Sequence, residues 1–304
     1  MRLPAYFFLV ALIASQLSPT AAIAQEASAI TLDGLIEAIA IASDLDRDQG
    51  DGIDSSGAGA RARIGAEWRA GARTEVRAEV EGRTFQFNDD DRDRLDTGIG
   101  RLHVDHAISD TVSLRAYARR YENITVLEAL QADQTSLGGH IEWERGDHRL
   151  RATGEYRRRQ YDTLIGAAGE GLRAAVQYNR RLGSYRWVRF DLAIDENDSA
   201  DDPRRSYDRR IARVSYSHPV GGRIRVRPRV EYREWDYDDR IARGSGDDAR
   251  REDSYLAPGV ELVWGRAGRG LYGEIDGEYR ARRSNDERFD DDAVRVGVRL
   301  GYRF

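Results

Sequence analysis

The sequence predicts an all-β fold: a transmembrane, up-and-down antiparallel β-barrel of about 14 strands (roughly 12–14). Three observations carry that expectation. Small apolar and charged residues alternate with a period of two along almost the whole chain. The connections between alternating segments are short and long by turns. The chain opens on an export signal, and no later stretch holds the roughly 18 apolar residues that a spanning helix needs.

At the N-terminus, Arg2 supplies a positive charge, Tyr6 to Ala14 form an uncharged apolar run, and Ala22-Ile23-Ala24 present the small residues of a cleavage site. Residues 1–24 therefore read as a cleaved signal peptide and 25–304 as the barrel. The absence of cysteine excludes disulfides, thiolate metal sites and a lipid-modified N-terminus. Charged residues make up 33% of the chain, but 9% aromatics and 30 glycines argue against disorder. All 48 basic residues are arginines, yet the net charge is −5 and no basic stripe stands out, so no nucleic-acid partner is expected.

In Thr74 to Thr84, Val76, Ala78, Val80 and Gly82 share one face, while Glu75, Arg77, Glu79, Glu81 and Arg83 share the other. Ile224, Val226, Pro228, Val230 and Tyr232 alternate with Arg223, Arg225, Arg227, Arg229, Glu231 and Arg233. Strands of this kind are expected near 58–69, 73–85, 98–107, 111–121, 135–144, 148–157, 170–180, 185–195, 209–218, 223–234, 254–264, 270–280 and 293–304. Short connections such as Ala70-Gly71-Ala72 and Arg145-Gly146-Asp147 read as periplasmic turns, and long acidic ones such as Asn88 to Asp91 as outer loops. If the last strand runs inward, so does 58–69, and a further strand must precede it. Leu32 to Ser43 is the candidate, but both its faces are apolar, and a short helix lying against the barrel is the alternative.

The apolar face carries aromatics at its ends, as a lipid-facing surface should. Trp68, Trp143, Tyr178, Tyr216, Trp264 and Phe304 lie near the short turns; Tyr156, Tyr232 and Tyr279 lie near the long loops. Phe85, Tyr117 and Tyr121 fall on the charged face and do not follow this pattern. A soluble sandwich would need a dry core between its sheets, and the thin alanine, valine and glycine positions here suit lipid better.

The signal, the amphipathic strands and the ending Gly301-Tyr302-Arg303-Phe304 resemble bacterial outer-membrane proteins over essentially the whole mature chain. Size and strand number are similar to monomeric fourteen-stranded porins. They are also similar to the barrel half of surface lipoprotein assembly modifiers, whose helical-repeat half is missing here. The resemblance implies the outer membrane of a Gram-negative bacterium, and lipid and lipopolysaccharide as surroundings. It also implies a monomer, and Tyr302 and Phe304 as a signal read by the barrel-assembly machinery.

The charged face then lines the lumen, with roughly 23 arginines against about 14 acids. Expected wall residues are Arg77, Arg115, Arg119, Arg151, Arg213, Arg223, Arg225, Arg227, Arg229, Arg295 and Arg299, beside the carboxylates Glu261, Glu274, Asp276 and Glu278. Rings of arginine favour anions, so one expectation is an aqueous pore for passive diffusion of small polar or anionic solutes. The other is that these charges pair across strands and stiffen the wall. An export-assisting or structural barrel for polysaccharide or surface-protein delivery is the alternative from a different class. For a membrane hydrolase, His103 and Asp105 share the charged face, but no serine motif accompanies them, and no catalytic residue is assigned.

The acidic runs Asp195 to Asp198, Asp201-Asp202, Asp238-Asp239 and Asp247-Asp248 read as outer loops. Asp44, Asp46 and Asp48 resemble part of a calcium loop, but Gln49 takes the glycine position and no glutamate closes it, so neither metal nor cofactor is expected.

Overall fold

Alternation of this kind should place one face of each strand in lipid and the other in the lumen. The computed structural model, which describes residues 30–45, 53–126, 130–162, 167–244, 249–265 and 269–304, has that form. The strands are β1 (Ile30–Ser43), β2 (Gly57–Arg69), β3 (Thr74–Phe87), β4 (Leu95–Ala107), β5 (Val112–Val126), β6 (Leu130–Arg145) and β7 (His148–Tyr161). They continue as β8 (Ala168–Gly183), β9 (Arg186–Asn197), β10 (Tyr207–Gly221), β11 (Ile224–Ile241), β12 (Arg250–Gly265), β13 (Gly270–Ser284) and β14 (Asp292–Arg303). Each pairs with its sequence neighbours, and β1 pairs antiparallel with β14 to close the barrel. The residues of the expected signal peptide lie outside those described.

The two faces separate cleanly. Val294, Val296, Val298, Leu300 and Tyr302 are exposed on the outside of β14, whereas Arg295 between them is buried inside. Exterior aromatics mark both edges of the apolar band. Trp264 pairs with Ile224 at the turn end, and Tyr232 pairs with Leu256 towards the loops. That stretch covers about 27 Å of strand at ~3.4 Å per residue, or roughly 20 Å of bilayer at a ~40° tilt.

The strands run further outward than the alternation indicated. β11 continues to Ile241 and β12 begins at Arg250. Beyond the aromatic edge the outer face turns from apolar to charged. Arg210 stands 3.4 Å from Glu234 and 3.5 Å from Asp236, and Arg120 bonds Asp133 at 2.7 Å. Water rather than lipid meets this collar, so the apolar half of the pattern has no reason to persist. The same extension corrects the acidic-loop reading: Asp195 to Asn197 belong to β9 and Asp238-Asp239 to β11, while Asp247-Asp248 lie outside the described residues.

β1 is a strand, not a helix, and its two apolar faces have separate causes. Ile36 looks out at lipid, 59% exposed. Ile41 points in and packs with Phe85, Phe87 and Leu95, against partly buried Ile39 and Ile53. Phe85 thus sits on the charged face because this sector of the lumen wall has an apolar cover near its outer end.

Local irregularities are held by side chains. In β5 the register shifts between Tyr121 and Ile124, and Asn123 takes a left-handed φ of 55°. Asp133 accepts from its N–H at 2.9 Å, and its own amide donates to the Asp96 carbonyl at 2.8 Å. In the β13–β14 loop the Asp286 carboxylate accepts from Arg288 Nε at 2.9 Å and from the Arg288 N–H at 3.2 Å, and these hydrogen bonds hold it down at about 2. The carboxylate pairing at the calcium-like segment has a plainer use. Asp44 accepts from the Val294 N–H at 2.6 Å, which ties β1 to β14, and Asp46 and Asp48 lie outside the described residues.

Candidate functional site: the lumenal wall

Charges facing a lumen can either pair along the wall or stay open to solutes, and the register decides which. Most of the expected arginines pair. Arg77 lies 2.6 Å from Asp33, 3.2 Å from Glu67 and 2.9 Å from Glu79. Arg115 bonds Asp105 at 2.6 Å, Arg151 bonds Glu142 at 2.6 Å, and Arg213 bonds Glu231. Arg119 stands 3.4 Å from Glu155 and over the ring of Tyr117. The carboxylates of β12 and β13 are flanked on both sides. Arg229 reaches Glu261 and, at 2.8 Å, Glu278, and Arg227 stands 3.6 Å from Glu261. From β14, Arg299 pairs with Glu274, and Arg295 meets Asp276 at 2.5 Å. Arg223 departs from the expectation: it occupies the β10–β11 turn, exposed, and not a strand of the wall.

Several ties skip a strand. Tyr117 on β5 passes over β6 to donate to Glu155 on β7 at 2.8 Å, and Tyr272 on β13 passes over β14 to Glu37 on β1. Each crossing is possible because the strand beneath carries a glycine: a Cβ at Gly138 or Gly301 would come within 2.7 Å of the crossing tyrosine.

Towards the outer end the wall becomes dry. Tyr207, Trp235, Tyr237, Tyr255 and Ala257 form one buried cluster, and Val126, Ala132, Tyr161 and Ala167 another. Ion pairs are buried among them. Asp195, with no exposed side-chain surface, lies 2.6 Å from Arg209, 3.4 Å from Arg157 and 3.5 Å from Arg173. Asp253 takes Arg251 at 2.6 Å and Arg282 at 2.7 Å. Asp54, from the β1–β2 connection, folds in to Arg280 at 2.9 Å and stands 3.7 Å from Arg295.

The periplasmic end between β7 and β11 differs. Asn179 pairs in register with Arg149 and with Arg189. Ser215 pairs with Arg189 and with Arg229. One level of the wall therefore presents Arg149, Arg189 and Arg229 on alternate strands, about 10 Å apart, with short polar residues between. Arg149 has Glu144 at 2.7 Å and Arg229 has its two glutamates. Among the described residues Arg189 has no carboxylate within ion-pair distance, and its Nε is buried without a hydrogen-bond partner. Nor is a carboxylate found at Arg225, whose guanidinium lies 5.4 Å from the Tyr185 ring. Trp187 sits between Arg189 at 4.9 Å and Arg227 at 5.8 Å. Arg189, Trp187 and Tyr185 were not singled out by the sequence. Alternation places Arg189 and Trp187 on the charged face, but which carboxylates end at ion-pair distance depends on register, and Asp191, two residues beyond Arg189, bonds Gln177 instead.

At the positions considered for hydrolysis, Asp105 is bonded to Arg115, and His103 Nε2 has no hydrogen-bond partner among the described residues. No group of three potential metal ligands occurs among the described residues.

No family model and no curated protein matches the chain. Solved structures do. OmpT, an outer membrane protein of Vibrio cholerae, is similar at 12% identity and a TM-score of 0.54, over 93% of this chain and 100% of that one. The outer membrane channel DcaP of Acinetobacter baumannii is similar at 13% identity and 0.54, over 90% and 97%. An anion-selective porin from Comamonas acidovorans is similar at 11% identity and 0.50, over 91% and 99%. The likeness establishes the fold, that of outer-membrane β-barrels. With that fold and a lipid-facing apolar band, the chain belongs in the outer membrane of a Gram-negative bacterium.

Proposed function

Starting from a bilayer-spanning outer-membrane barrel, we propose that this protein is a passive pore with anion preference, admitting small polar or acidic solutes. The observation that carries the reading is the imbalance in one sector of the wall. Apart from Arg303, which lies over the Tyr272 ring, the β1–β4 and β12–β14 sectors match arginine with carboxylate, so their fields largely cancel. Between β7 and β11 the lumen keeps Arg189 and Arg225 without a carboxylate at ion-pair distance among the described residues. A guanidinium is not deprotonated in a protein, so both stay charged, and cations without ion-pair partners there raise the local anion concentration. The paired arginines instead stiffen the barrel.

The proposed surroundings follow from the exterior: lipid against the apolar band, lipopolysaccharide against the charged collar, and a single chain closing its own barrel. The assembly machinery would read Tyr302 and Phe304. No catalytic residue and no cofactor enter this reading.

Two measurements test it. Liposomes holding the refolded chain should swell in small sugars, and faster in monocarboxylates of equal size; equal rates for sugars and monocarboxylates would remove the anion preference. Changing Arg225 and Arg227 together to glutamate alters the lumen by about four unit charges. The reversal potential in a salt gradient is then expected to move from the anion side to the cation side, and an unmoved potential would place these residues off the conducting path.

A further inference from the structure

The row of arginines at the periplasmic end has more structure than an ion-selective field requires. Tyr185 occupies the β8–β9 turn with a left-handed φ of 60°, a conformation a tyrosine adopts at a cost, with its ring 57% exposed. Its carbonyl is held by the Ser217 hydroxyl at 2.9 Å. That anchoring sets the ring under Arg225. Trp187 similarly flanks both Arg189 and Arg227, and Ser215 and Ser217 keep the strand between them low. A guanidinium laid against an aromatic face keeps its N–H edge free and oriented, the arrangement that receives carboxylate or phosphate groups in a forked pair of hydrogen bonds. Arg189 and Arg225 have no carboxylate at ion-pair distance among the described residues, so their guanidinium edges are left for such a group.

Arg189 on β9 is level with Arg229 on β11, so Arg225 lies two strands away and four residues nearer the periplasm, about 17 Å between Cα atoms, with Arg227 between them across Trp187. One carboxylate cannot reach from Arg189 to the Arg227–Arg225 pair; an anion with two or more charged groups can. We infer that this cluster is a binding site, entered from the periplasmic side, for small multivalent anions bearing carboxylate or phosphate groups. The inference rests on the pore reading for access through the lumen, but binding itself does not require conduction.

Calorimetry on the folded chain in detergent micelles, with citrate and tripolyphosphate as probes and acetate as the monovalent control, separates the two. Saturable binding of both multivalent probes is expected, with acetate at least about tenfold weaker. Because neither arginine has a carboxylate to orphan among the described residues, R189Q and R225Q should still fold, which heat-dependent gel mobility verifies. Each is expected to weaken citrate about tenfold or more, and R189K should recover part of the loss. Citrate binding unchanged in the R189Q/R225Q double variant, or no saturable binding to the parent chain, overturns the site. In planar bilayers, citrate should reduce the current at lower concentration from the periplasmic side than from the outer side. Equal potency from both sides overturns the placement. A non-conducting barrel that still binds citrate through Arg189 and Arg225 supports the site and overturns only the pore.

Discussion

Asp195→Ala is expected to destabilise the barrel by about 3–5 kcal/mol, the cost of leaving buried charge without its partner. Asp195 has no exposed side-chain surface, and the guanidinium groups of Arg157 and Arg209 beside it are 3% and 2% exposed. Removing the carboxylate leaves two buried cations side by side near the outer end without the negative charge between them, with Arg173 adding to the repulsion. By contrast, Arg158→Ala removes an exterior contact of 3.9 Å between exposed groups and should cost less than about 1 kcal/mol. Denaturant unfolding in lipid vesicles, followed by tryptophan fluorescence, measures both. Equal, small losses would mean that water reaches the Asp195 network and that the outer part of the wall is not dry.

Deleting Phe304 is expected to destabilise the folded barrel by about 2–3 kcal/mol and to reduce assembly sharply, because unmade backbone bonds are costly beside lipid. The Phe304 N–H donates to the Gly34 carbonyl and the Gly34 N–H to the Phe304 carbonyl, each at 3.1 Å, at the periplasmic end of the β1–β14 seam. The ring lies over Gly34, where a Cβ would overlap it. Gly34→Val therefore separates two roles of the aromatic, since it displaces the ring and leaves the C-terminal residue in place. If Phe304 closes the seam, both variants should refold poorly into vesicles from denaturant. If it acts as an assembly signal, the deletion should refold normally in vitro yet fail to reach the membrane in cells. Normal insertion of the deletion variant in both settings would contradict both roles.

The barrel was legible because lipid imposes a strict rule on one face of every spanning strand, and Val294 to Phe304 obey it residue by residue. β1 was harder to read. Its inner face meets Phe85, Phe87 and Leu95 rather than water, so alternation alone could not distinguish it from a helix. Above the bilayer the rule lapses, which is why Asp195 stood both at the end of the expected 185–195 strand and in an acidic loop, and proved to be a buried strand residue. The lumenal arginines could be identified one strand at a time, but their pairing could not. Arg77 meets Asp33 two strands away, and Arg189 makes no ion pair among the described residues while Asp191 on its own strand accepts from Gln177, because of how neighbouring strands register. Ties over glycine, such as Tyr117 to Glu155 across Gly138, leave no local trace in the sequence.

An open lumen whose unbalanced charge lies in the arginine sector between β7 and β11 should conduct, and prefer anions. Single-channel recording of refolded residues 25–304 in a planar bilayer, across a salt gradient, tests this most directly. The prediction is stable conductance steps with a reversal potential on the anion side. A correctly inserted barrel that stays silent, or one that conducts with cation preference, would contradict it.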